Sequence, residues 1–123
     1  MTLRSKFIEH LYIHKDSSES MFCVFNSLAN PEWEFLDMFK YNWDCSTLFI
    51  RQPHDKCDWY LSEQQYIVDL INSYSRDRDL YLVGHSAGGS ASIYYSNKVN
   101  NVVKVLGFSA QSSTAIRYNL NAP

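Results

Sequence analysis

Leu80-Tyr81-Leu82-Val83-Gly84-His85-Ser86-Ala87-Gly88-Gly89 decides how this chain is read. An apolar, strand-like run leads directly into a Gly-x-Ser-x-Gly pentapeptide, and the residues from Ala87 to Asn97 suit a helix. A serine on a sharp strand-to-helix turn sits at strained backbone angles. Small residues two before and two after it let the neighbouring backbone approach without a clash. Gly84 and Gly88 occupy those two positions, so the spacing marks Ser86 as a nucleophile candidate. The backbone N–H of Ala87, at the start of the helix, then points at the place where a tetrahedral oxyanion would develop.

Outward from this turn, strand and helix signals alternate. Met21 to Phe25 is a continuous apolar run bounded by polar residues, the pattern of a strand covered on both faces, and Thr47 to Ile50 repeats it. Phe7 to His14 predicts an early strand or hairpin. Asn30 is placed to cap a helix whose first residue is Pro31, with Glu32 and Glu34 in its first turn. Ser62 and Gln65 predict a capping box for a second helix carrying Tyr66, Ile67, Leu70 and Ile71. With Leu80 to Val83 and Val102 to Phe108 as further strands, the pattern predicts an α/β three-layer sandwich around a mostly parallel sheet with right-handed crossovers. No later segment resembles a strand able to cover Val102 to Phe108. That strand is therefore expected at a sheet edge, where copies of the chain would pair into a homodimer or aggregate.

Composition sets bounds. The chain has 123 residues, 46% of them hydrophobic, with nine Tyr, seven Phe and three Trp, which predicts one domain spanning 1–123 around an aromatic-rich core. A net charge of −2 with no run of Lys or Arg gives no footprint for nucleic acid or anionic lipid. No stretch has 18 consecutive apolar residues, and no membrane association is expected. Cys23, Cys45 and Cys57 form an odd set without a C-x-x-C pair, which fits free thiols and a cytoplasmic location. His54, Asp55 and Cys57 lack structural zinc spacing, so neither a metal nor any other cofactor is expected.

A second oxyanion donor is expected from the loop that follows the first core strand. That loop is Asn26-Ser27-Leu28-Ala29, with Asn26 and Ser27 selected by position. His85 is adjacent to Ser86 and points away from it across the turn. His54 lies with Asp55 and Asp58 in the loop after the second core strand, at the carboxyl edge of the sheet where ligands bind in open α/β folds. It is the histidine to consider as a substitute base.

Three separated pieces carry a family resemblance: Arg51-Gln52-Pro53-His54-Asp55 with Trp59-Tyr60-Leu61, the turn from Gly84 to Gly89, and Gly107-Phe108-Ser109-Ala110-Gln111-Ser112-Ser113. Together they resemble the α/β-hydrolase superfamily, and within it hydrolase-like proteins encoded among bacterial cell-surface polysaccharide genes. One departure is Ala110, which stands where that group tends to have proline. The resemblance implies Ser86 as nucleophile, with His54, Asp55, Trp59 and Gln111 at the mouth of the site, and a small-molecule or glycan ester as substrate. In that superfamily the triad runs along the chain as Ser, then Asp or Glu, then His. The 37 residues after Ser86 contain no Asp, Glu or His. Three readings stay open: a truncated member of the fold, a base from an unusual place, or a serine that does no chemistry. Two functions follow, a serine hydrolase of esterase or acyl-transfer type (or a fragment of one), and a non-catalytic remnant or interaction module built on the hydrolase core.

Overall fold

The apolar runs become strands, and the order in which they pair places the site. A computed structural model describes residues 5, 7–16, 19–27, 30–52 and 58–108. Its elements are β1 (Glu9–Ile13), β2 (Ser20–Phe25), α1 (Leu36–Tyr41), β3 (Ser46–Arg51), α2 (Gln64–Tyr74), β4 (Asp79–His85), α3 (Ala87–Tyr95) and β5 (Val102–Phe108). They form a five-stranded sheet of order β1-β3-β2-β4-β5. β2 pairs parallel with β3 and β4, β4 pairs parallel with β5, and β1 closes the far side antiparallel to β3.

Because successive side chains on a strand point to opposite faces, β2 feeds two cores. Met21, Cys23 and Phe25 join Leu48, Ile50, Leu80 and Leu82 under α2 and α3, represented by Ile67, Leu70, Ile71, Ala91 and Tyr95. On the other face Val24, Phe49 and Val83 pack with Phe39 of α1. The result is the expected three-layer α/β sandwich with a mostly parallel sheet. Cys23 is fully buried in β2, and that burial pushes its thiol well above the ordinary range.

Both helix starts read from local pattern are corrected. The first helix begins at Leu36, after Phe35 in the left-handed region at φ 64°, and not at Pro31. Side chains of Asn26 and Asn30 bond to the backbone of Glu32 and Glu34 and hold residues 30–34 as a loop, in competition with helical hydrogen bonds. Ser62 does not cap the second helix, which begins at Gln64 without a side-chain cap. The Ser62 N–H instead donates to Asp58 Oδ2 at 2.9 Å.

Among the described residues β5 lies at the sheet edge. Its register against β4 skips Val103, and Val103 (54%), Leu106 (40%) and Phe108 (50%) are exposed, beside Ile93 (48%) on α3. Among the described residues no helix is long and apolar enough to cross a membrane, and no group of three or more His, Cys, Asp or Glu is arranged to hold a metal ion.

Candidate active site

Parallel pairing of β2, β3, β4 and β5 brings the residues that follow or end them to one edge: Asn26, Gln52, Ser86 and Phe108. Ser86 sits between β4 and α3 at φ 55°, ψ −119°. That backbone region costs a side-chain-bearing residue about 1–3 kcal/mol and persists only where the surroundings over-determine it. The surroundings here are backbone. The Ser86 N–H donates to the Phe108 carbonyl at 2.7 Å, and its own carbonyl accepts the Ser90 N–H at 3.1 Å, closing the first turn of α3.

The two glycines show why the turn fits. A Cβ on Gly84 would overlap the Gly88 backbone. One on Gly88 would overlap the Phe25 carbonyl and come within 2.9 Å of the Asn26 carbonyl. The helix start therefore rides directly on the ends of β4 and β2. Ala87, the first helical residue, is buried, while His85 is exposed.

The loop after β2 is built differently. Asn26 is fully buried; its Oδ1 accepts the Glu34 N–H at 2.9 Å and its Nδ2 donates to the Glu32 carbonyl at 2.5 Å. Its N–H donates to the Ile50 carbonyl at 2.9 Å. The Ser27 N–H donates to Glu34 Oε1 at 2.7 Å and its hydroxyl to Oε2 at 2.5 Å, where Asn30 Nδ2 also donates at 2.9 Å. Both N–H groups expected to complete an oxyanion hole are thus engaged within the protein. The strand-to-loop geometry takes one and a carboxylate takes the other.

A polar chain continues beneath this loop. The Tyr60 hydroxyl, fully buried, donates to the Asn26 carbonyl at 2.6 Å, and the Tyr95 hydroxyl donates to the Tyr60 carbonyl. Gln52 Oε1 accepts the N–H of Tyr60 at 2.9 Å and of Asp58 at 3.1 Å. Burial pushes the Asp58 carboxyl up, but hydrogen bonds from Ser62, Gln52 and Leu61 outweigh it and hold the group below its ordinary value. Trp59 and Tyr60 are both left-handed at φ 64°, and Trp59 is half-buried against the core beneath α2 and α3. His54, Asp55 and Gln111 lie outside the described residues. Sequence reasoning missed Glu34 and Gln52 as organisers of this edge. The one available cue was the density of Asn, Ser and Glu between positions 26 and 34.

The fold as a whole has a counterpart among solved structures. MenH from S. aureus matches with a TM-score of 0.57 over 79% of this chain, at 14% sequence identity. The fold is α/β-hydrolase-like. The chain spans 41% of the length of that hydrolase. No protein-family model and no curated protein sequence matches it.

Grooves among the described residues flank this hydrolase-like core, two of them notable for their position. One, of about 710 Å³, is polar and lined by residues including Asp69, Asn72, Asp77 and Asn101, at the amino edge opposite Ser86. The other, of about 320 Å³, is bordered by Trp33, Phe35, Leu36 and Met38. It reaches the Ser86 side through Phe35, whose ring lies 6.3 Å from that of Phe108.

Proposed function

We propose that Ser86 is the nucleophile of a serine hydrolase of esterase or acyl-transfer type, acting on a small-molecule or glycan ester. The observation that carries this reading is the Ser86 backbone at φ 55°, ψ −119° between a parallel strand and a helix, with Gly84 and Gly88 admitting direct backbone contact. In this reaction the Ser86 oxygen attacks the ester carbonyl as its proton passes to a base, the ester C–O bond breaks, and the protonated base returns that proton to the departing alkoxide, which leaves as the alcohol and an acyl-enzyme remains. The Ala87 N–H supports the developing oxyanion. His54 is the base this reading assigns, and Asp55, Trp59 and Gln111 border the mouth. Losing the histidine of a serine triad costs about 10⁶ in turnover. An elbow without a well-placed base is therefore expected to be slow in both acylation and deacylation.

A second reading is favoured by one observation, the exposed Val103, Leu106 and Phe108 on an edge strand. In it the chain keeps the hydrolase core as an interaction module, and the β5 edge pairs two copies. The test combines a fluorophosphonate probe, hydrolysis of p-nitrophenyl acetate and light scattering on the same protein. Labelling confined to Ser86 and lost in Ser86→Ala supports the hydrolase reading. Turnover abolished by both Ser86→Ala and His54→Ala assigns His54 as the base. An unlabelled chain that is dimeric, and becomes monomeric in Leu106→Lys, supports the module instead.

A further inference from the structure

We infer that Glu34 is a positioning residue for Ser86: its carboxylate clasps the loop after β2 and holds that loop against the first turn of α3. The inference rests on the hydrolase reading and adds to it a side chain that no motif marks.

Three donors converge on this carboxylate. They are the Ser27 N–H at 2.7 Å, the Ser27 hydroxyl at 2.5 Å and Asn30 Nδ2 at 2.9 Å. An ionised carboxylate is an acceptor with about four lone-pair sites and satisfies all three, and such charge-assisted bonds are roughly twice as strong as neutral ones. The Glu34 backbone is tied in as well, because its N–H donates to Asn26 Oδ1 at 2.9 Å. Residues 26, 27, 30 and 34 are thereby locked as one unit.

That unit abuts the nucleophile. The Asn26 carbonyl lies where a Gly88 side chain would begin, at 2.9 Å from an added Cβ, and Gly88 is two residues from Ser86. From the opposite side, Phe35 approaches Phe108, whose carbonyl accepts the Ser86 N–H. Displacement of Asn26 therefore passes to Gly88, the neighbour of Ala87, whose N–H is the oxyanion donor of the hydrolase reading. A misplacement of about 1 Å costs up to ~10²-fold in rate.

Glu34→Gln probes this sharply. An amide has a single acceptor oxygen and presents two donors of its own, so it cannot receive the three converging donors as the carboxylate does. Two measurements separate positioning from mere stability: the second-order rate of fluorophosphonate labelling at Ser86, and the backbone amide resonances of Ser86 and Ala87. Glu34→Gln is expected to label roughly tenfold slower or worse, with the Ala87 resonance displaced and the protein still folded at the assay temperature. Glu34→Asp, which keeps both acceptor oxygens, is expected to recover part of that rate. A folded Glu34→Gln that labels within about twofold of wild type, or leaves the Ala87 resonance unmoved, overturns the inference. Should Glu34→Gln not fold, Ser27→Ala decides by the same two criteria, since it keeps the carboxylate and loses one donor to it. A wild type that the probe does not label overturns the hydrolase reading; the resonances then decide the clasp alone, displacement upholding it and constancy ending it.

Discussion

Ser86 has two shoulders made by opposite means. On one side, the turn from β4 into α3 is held by the absence of side chains: Gly84 and Gly88 let main chain lie on main chain. On the other side, the loop after β2 is held by the presence of side chains, with Asn26 and Glu34 taking up backbone groups that helix or sheet would otherwise satisfy. The first shoulder fails by collision and the second by an unmet hydrogen bond. These failures differ in size, because a hard overlap of backbone atoms has no soft way out, whereas a released loop finds water.

The sharpest way to break that contrast is Gly88→Ala. Its methyl group would overlap the Phe25 carbonyl, and a main-chain oxygen in the central strand has no room to retreat. A loss of ~3 kcal/mol or more is expected by urea denaturation, and a loss below ~1 kcal/mol would remove the steric account of this shoulder.

Asn26→Ala tests the other shoulder. It removes a fully buried side chain that partners the Glu34 N–H and the Glu32 carbonyl, and a cost of about 1–3 kcal/mol is expected. The contrast requires this loss to be smaller than that of Gly88→Ala, so the reverse order in the same denaturation series would refute it.

The smallest expected effect has the opposite sign. Ser86→Gly places at φ 55° the residue that tolerates that region, and a gain of ~0.5–1 kcal/mol in stability is expected alongside complete loss of probe labelling. A destabilised Ser86→Gly variant would mean that the serine side chain contributes more to the fold than its strained angle costs.

The same contrast explains what could be read from the sequence. Glycine spacing and continuous apolar runs are local signals with a steric or burial cause, so the elbow and the parallel strands were legible. Asn30-Pro31-Glu32 also has the composition of a helix start. It lost to the side chains of Asn26 and Asn30, which bond to the backbone of Glu32 and Glu34. Ser62 and Gln65 have capping-box spacing, yet Asp58 took the Ser62 N–H. The partners of the Asn26 and Ser27 N–H groups were equally illegible, since which partner claims a backbone N–H depends on tertiary neighbours that no window of sequence contains.

Gly88 resting on Phe25 also sets an order of events in folding. The two residues are separated by more than half the chain, and contacts at such separation form late because loop closure must precede them. Until β2 and the start of α3 dock, Ser86 lacks one of the backbone contacts that hold it at its unfavourable angle, the others being the Phe108 bond and the Gly84 approach. A peptide bearing only Gly84 to Gly89 therefore carries the motif without the geometry. Acquisition of serine reactivity during refolding would mark the docking of the two halves, later than the first appearance of helix.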